Sequence, residues 1–241
     1  MCNSLWKTGI ISLLCSFSFA VEPQTICQFG LNSISGLVGL FHINEGSGNY
    51  IYDTVVGSTG TLSASSTWVT GKISNCVYYD GINTGVPTNL TMPAGDFTYV
   101  FWVNFNAGSG IYAGIMGTVG DNRTFRNILG NIRLDLTHTG GQLYQTVDTV
   151  ANVIGYDTWT HVAWVAKSNN WTQIYINSVL SYGPYALTGS PNSYDLILGY
   201  NFLVTDADRS MKGYIDEAAV FNRVLSAAEI EHIYYRNPRS Q

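Results

Sequence analysis

Apolar and polar residues alternate over short runs along most of the chain, and clusters of Gly, Asn, Asp and Ser separate the runs. A period of two marks half-buried β-strands rather than helices. The clearest run is Phe97–Phe105, where Phe97, Tyr99, Phe101, Val103 and Phe105 fall on one face. Val100 and Trp102 fall on the other, which predicts a strand covered in part on its second face as well. Trp159–Lys167 is similar, with His161, Ala163 and Val165 opposite Val162 and Trp164. Further strands are predicted at Leu37–Ile43, Val77–Asp80, Ile111–Gly117, Phe125–Gly130, Ile132–Thr137, Gln142–Val147, Thr172–Asn177, Asp195–Tyr200 and Lys212–Phe221. So many strands without intervening helices predict an all-β, two-sheet antiparallel sandwich. One short C-terminal helix is expected after Ser226-Ala227-Ala228-Glu229, a capping box in which Ser226 and Glu229 satisfy each other's backbone N–H groups. Ile230, Ile233 and Tyr234 share its apolar face, and Pro238 lies beyond its end.

The length of 241 residues suits one such domain. Charged residues make up only 11% of the chain and the net charge is −5, with no basic stripe. That argues against a nucleic-acid partner, whose phosphates need neutralising, and against an anionic membrane surface. Residues 1–20 read as a signal peptide: Lys7 supplies charge, Thr8–Ala20 is apolar, and Ser18 and Ala20 are small at a cleavage point. The other readings of this segment are a buried N-terminal element or, through Cys15, a lipoprotein signal. A run of this length does not span a bilayer. The expected organisation is a signal peptide at 1–20, an N-terminal arm at 21–35 and one domain at 36–241, secreted and without membrane insertion. Removing the signal leaves Cys27 and Cys76, an expected disulfide in an exported chain, with two buried thiols as the alternative. Sequons stand at Asn89, Asn122 and Asn170.

A series of landmarks in order gives the class its family. The chain carries Gly36-Leu37 through Glu45-Gly46-Ser47-Gly48, then Asp53, Gly60-Thr61-Leu62, Tyr79-Asp80-Gly81, Phe97-Thr98 with Trp102-Val103, and Trp159-Thr160-His161-Val162-Ala163. It continues with Ile174-Tyr175-Ile176-Asn177, Gly213-Tyr214-Ile215-Asp216-Glu217, Phe221-Asn222-Arg223, Leu225-Ser226 and Glu229-Ile230. This order resembles the laminin G-like jelly-roll domains of the concanavalin A-like lectin/glucanase superfamily, over about residues 36–236. The resemblance implies a jelly roll and a recognition role, most readily carbohydrate binding. It departs where the family's Asn-Gly hairpin becomes Asn177-Ser178, because a type I′ turn needs positive φ at both positions and Ser resists it.

Candidate chemistry is sparse. The glucanases of the superfamily resemble one another in E-x-D-x-E, and none of Glu22, Glu45, Glu217, Glu229 and Glu231 forms it. Asp216 and Glu217, being adjacent on a strand, are expected on opposite faces. Catalysis is therefore not expected, and glycoside hydrolysis is the remote alternative. His161 reads as a hydrogen-bonded structural histidine. The resemblance implies a structural calcium ion held by Asp216 with the Glu45–Gly48 loop, both Glu45 and Gly48 contributing; the alternative is that Asp216 accepts backbone N–H bonds. Asp53, Asp80, Asp206 and Asp208 are further acidic candidates. Ligand contacts are expected from aromatic and polar side chains near strand ends: Tyr112, Arg123, Arg126, Tyr144, Trp171, Tyr200 and Asn201. The expected partner is a glycan or an extracellular protein, with a homo-oligomer left open; the rival role is a protein-interaction or structural subunit of a cell-surface, matrix or virion assembly.

Overall fold

The computed structural model describes residues 34–82, 85–118, 123–127, 130–138, 142–149, 152–189, 193–199 and 209–236. The signal segment 1–20, the arm through residue 33, Cys27, Asn122, Tyr200, Asn201, Asp206, Asp208 and Pro238 lie outside the described residues. Among those described, no helix is long and apolar enough to cross a membrane.

Sixteen strands and one helix make up the described fold. The strands are β1 (Leu37–Phe41), β2 (Tyr50–Tyr52), β3 (Thr59–Thr61), β4 (Thr67–Thr70), β5 (Asn75–Asp80), β6 (Val86–Thr91), β7 (Phe97–Phe105) and β8 (Tyr112–Thr118). They continue with β9 (Arg123–Asn127), β10 (Ile132–His138), β11 (Gln142–Asp148), β12 (Thr160–Lys167), β13 (Trp171–Ile176), β14 (Val179–Ala186), β15 (Asp195–Leu198) and β16 (Lys212–Phe221). The helix α1 spans Ala227–Arg236. One sheet runs β14-β13-β12-β7-β16-β5-β4, with β1 also on β16; the other runs β11-β10-β9-β8-β15-β6-β3-β2. Every pairing between these strands is antiparallel. This is the two-sheet antiparallel sandwich with a single short C-terminal helix that the pattern predicts, and the jelly roll that the resemblance implies.

The inner face of β7 puts Phe97, Tyr99, Phe101, Val103 and Phe105 into one buried core between the sheets. Trp164 closes edge-on against Phe97 and Tyr99, at ring distances of 4.7 and 5.2 Å. The outer face of the same sheet is covered over half its length. Val100, Ala163, Val165, Ala219 and Phe221 pack there with Ile230 and Ile233 of α1. The helix begins where the capping box places it: Ser226 N–H donates to Glu229 Oε2 at 2.8 Å, and Glu229 N–H donates to Ser226 Oγ at 3.3 Å. Arg223 makes a two-pronged bond to the same carboxylate, which holds Glu229 down to about 2.

Two local features depart from ideal alternation. Strand β16 pairs β5 over Lys212–Ile215 and β1 over Ala218–Phe221, and its ladder with β7 slips between Asp216 and Ala219. Glu217 sits in that bulge with φ +50°, so the expected simple alternation of Asp216 and Glu217 is broken by the extra residue. At the β13–β14 hairpin, Asn177 and Ser178 have φ +50° and +68°. The type I′ geometry is kept although Ser replaces Gly.

Candidate functional site

The bulge in β16 gathers an acidic junction. Asp216 is fully buried. Its Oδ2 accepts the Ile73 N–H at 2.9 Å and so organises the tight turn 71–75. Gly71 leaves the room: a Cβ there would stand 2.7 Å from both Asp216 Oδ2 and the Asn75 carbonyl oxygen. Asp216 Oδ1 has no partner among the described residues, and neither has the buried Oε2 of Glu45. Burial, opposed by backbone donors, pushes the Asp216 carboxyl up to about 8. Beside it the Asn44 side-chain amide lies 2.8 Å from the Ile73 carbonyl oxygen and 3.1 Å from that of Asn75. His42 Nδ1 lies 2.8 and 3.0 Å from the two Glu217 oxygens. That bond, with the fields of Glu217, Asp216 and Glu45, raises the imidazole above its ordinary value despite its burial.

Among the described residues no three His, Cys, Asp or Glu side chains form a metal cluster. The donors at the junction are of another kind: two carboxylates with orphaned oxygens and the Ile73 and Asn75 carbonyls, bridged by the Asn44 amide nitrogen, and these oxygens are hard donors of the type Ca²⁺ takes. Both expectations for Asp216 thus have a footing, one oxygen taken by backbone N–H and the other unpartnered. The Gly48 carbonyl accepts the Trp68 indole N–H at 2.8 Å, and Glu45 Oε1 accepts the Tyr52 N–H at 2.9 Å. Asp53 is different. Its carboxylate accepts the N–H groups of Leu40, Val55, Val56 and Ser58, which commits it to the backbone. Asp80 accepts the Ile82 N–H. Cys76 is buried, its Sγ donating weakly to the Thr70 carbonyl, and burial raises its thiol pKa; its expected partner Cys27 falls outside the described residues.

The expected ligand residues divide between the sheets. Tyr112, Arg123, Arg126 and Tyr144 lie on neighbouring strands β8, β9 and β11 of one sheet, with β10 between the last two. For Arg123, Arg126 and Tyr144 only the backbone is described. The Tyr112 ring is already engaged: the guanidinium carbons of Arg133 and Arg209 stand 5.7 and 5.6 Å from its centroid. Arg133 is also held by Asp148 through bonds of 2.8 and 2.7 Å. Trp171 belongs to the other sheet, where it packs half-buried against the helix-side cluster.

His161 departs from expectation. It is fully buried, and neither ring nitrogen has a partner among the described residues. It fills space between Trp102 and Tyr234, at ring distances of 5.1 and 5.5 Å. The site sits under α1, where the Trp102 indole N–H is likewise buried without a partner among the described residues, so the rings meet by shape and not through a hydrogen bond.

The half of that outer face away from α1 carries a feature the candidate residues did not include. Tyr78 of β5 and Tyr214 of β16 are register partners, with ring centroids 5.1 Å apart and planes tilted by 45°. Trp159, just before β12, lies 5.9 Å from Tyr214 at a tilt of 42°. Strand β7 separates β12 from β16, so ladder spacing alone would put these two about 9–10 Å apart. They lean together over Asn104, the register partner of Tyr214, and the Asn104 Oδ1 is buried with no donor among the described residues. All three rings are half-buried. The signal for them was parity: Tyr78 and Tyr214 alternate with the core residues Val77, Tyr79 and Ile215, and so point outward.

The sandwich is shared with known proteins at low identity, which speaks to the fold. It is similar to the binding domain of Paraclostridial Mosquitocidal Protein 1, with TM-score 0.65 and 17% identity over 83% of this chain and 52% of that one. It is similar to the receptor-binding domain of botulinum neurotoxin type G, with TM-score 0.64 and 17% identity over 83% and 51%. The chain therefore spans about half the length of these toxin domains. Domain 4 of AbnA, an extracellular arabinanase of Geobacillus stearothermophilus solved with arabinotriose, has TM-score 0.59 and 18% identity over 82% of this chain and 98% of that one. A search of the curated proteins finds no match. A family model described as the concanavalin A-like lectin/glucanases superfamily matches residues 78–231. That stretch runs from the outward Tyr78 through the β16 bulge into the helix, more than half of the chain, and on it the protein belongs to the laminin G-like family of that superfamily.

Proposed function

We propose that the protein is an exported, non-catalytic recognition module that binds carbohydrate. The observation that carries the reading is the row of half-exposed rings Tyr78, Tyr214 and Trp159 on an open sheet face. Sugar rings present C–H faces that pack on aromatic rings, while polar neighbours meet the hydroxyls. An aromatic row with no core to complete is what such a ligand requires. The fold agrees with the reading, since one similar domain was solved with arabinotriose. Export is supported by the composition of residues 1–20. Calcium is proposed as a brace rather than a reagent: Asp216 and Glu45, with the Ile73 and Asn75 carbonyls, would hold it and lock the 43–49 loop to the 71–75 turn. A glycan array probed with the purified chain tests the proposal. Binding that Trp159→Ala abolishes is expected, and an array blank both with and without calcium would sink it.

A second reading, protein association, has one specific observation in its favour. The edge strand β14 exposes Val179 and Leu180 at its start, and exposed sheet edges invite pairing. A concentration-dependent oligomer in light scattering that Val179→Lys dissolves, beside a blank array, would favour it.

A further inference from the structure

We infer that the row Tyr78–Tyr214–Trp159 recognises a single chain of a linear, neutral glycan, one sugar unit per aromatic ring, and not the flat face of a crystalline polymer. The inference rests on the carbohydrate reading above and adds the class of ligand.

Three features of the row carry it. The first is spacing. Neighbouring rings are 5.1 and 5.9 Å apart, about the length of one sugar residue in a linear chain, so consecutive units can each meet a ring. The second is tilt. A crystalline face is flat and needs coplanar rings, whereas adjacent planes here stand at 45° and 42° to one another. Such a non-coplanar row suits an isolated chain whose sugar planes rotate from unit to unit. The third is charge. Asp80 and Lys212 face each other across the β5–β16 ladder beside Tyr78 and Tyr214, and Asp157 at the Trp159 end receives the Asn106 amide at 2.6 Å. The Tyr78 end thus carries one charge of each sign, and among the described residues of the row no surplus positive charge is there to complement an acidic sugar. Lys72 stands 4.4 Å from the Trp102 ring centroid, next to the helix. The row also crosses the strands on an open face, so a chain can pass through it and need not be gripped by its end.

The test is calorimetry of the full chain with gluco-oligosaccharides, β-1,3- and β-1,4-linked, and arabino-oligosaccharides, from one unit to six. Affinity in at least one series should climb from one to three units, by roughly tenfold per unit met by a ring, and then level off. Tyr78→Ala should move the plateau from three units to two. Tyr78→Phe, which keeps the ring, should leave it at three, and this pair separates stacking from damage to the fold. Microcrystalline cellulose should fail to deplete the protein from solution. The inference is overturned by depletion on the crystalline polymer, or by glycan binding whose length dependence Tyr78→Ala leaves unchanged; in either case the carbohydrate reading survives. If no series and no arrayed glycan binds, that reading falls and takes the inference with it.

Discussion

Replacing His161 by Phe should stabilise the protein, and the gain should grow as the pH falls. The imidazole is sealed between Trp102 and Tyr234 with both nitrogens unpartnered. A buried donor or acceptor left unmade costs about 1–3 kcal/mol, and Phe removes both while keeping a planar ring between two rings. At neutral pH the expected gain is about 1 kcal/mol, some of it offset by the slightly larger ring. Acid adds a second effect. Burial lowers the His161 pKa from 6.5 to about 3, so between those values the unfolded chain binds a proton that the folded one refuses. Stability therefore rises with pH across this window. The contribution is whole above about pH 6.5 and is lost as the pH falls toward 3. Linkage puts the loss at roughly 3 kcal/mol near pH 4.5, with a ceiling of about 5 kcal/mol. Other groups titrate here as well, but they are common to both proteins and cancel in the difference. Urea unfolding of the two at about pH 7 and pH 4.5 measures it. Equal differences at the two pH values would refute the argument, because the imidazole would then have found water or a proton in the native state.

Three further outcomes can be checked on the same footing. Ser178→Gly relieves a left-handed residue at a cost of 1–2 kcal/mol, partly cancelled by the freer unfolded chain, so a net gain of about 0.5 kcal/mol and a small rise in Tm are expected; an unchanged or lower Tm would show that the turn is unstrained. Glu229→Gln weakens both the capping box and the Arg223 pair, a loss of about 1 kcal/mol by denaturant unfolding at neutral pH; because Arg223 first, and then Ser226, lower the Glu229 pKa, that contribution is whole above about pH 4.5 and fades as the pH falls toward 2. Millimolar calcium should raise the Tm of the native chain and leave that of Asp216→Asn unmoved, and chelator should reverse the rise; equal shifts in both proteins would place any bound calcium elsewhere.

The strands that a reader of the sequence finds are those whose period of two is driven by the core. Strands β7, β12 and β16 are buried along nearly their whole length, so their alternation is written in large apolar residues. Strand β14 lies at a sheet edge with most of its residues exposed. It carries Gly183-Pro184, tolerated there because an edge strand has ladder groups to spare, and its pattern reads as a turn. Strands β2 and β3 are three residues each, too short to show a period. The junction around Asp216 was visible only through resemblance, since Asn44 and Asp216 stand far apart in the chain and are brought together by the pairing of β1 and β5 with β16. The bulge at Glu217 left no mark in the sequence at all.

The aromatic row marks a different boundary. Each ring was legible by itself as pointing the wrong way: Tyr78 sits beside the core residue Tyr79, and Tyr214 beside Ile215. Core packing explains the inward member of each pair and gives no reason for the outward one to be aromatic. The candidates chosen from the sequence were instead aromatics near loops, and Tyr112 turned out to be occupied by Arg133 and Arg209. What could not be read was company. Tyr78 and Tyr214 are separated by more than half the chain, and Trp159 lies between them in sequence but two strands from Tyr214 in the sheet. Only the register of β5 on β16, and of β16 on β7, turns three unexplained outward rings into one surface. Outward parity is thus a reason to suspect a ring of function, and strand order decides whether the suspects stand together.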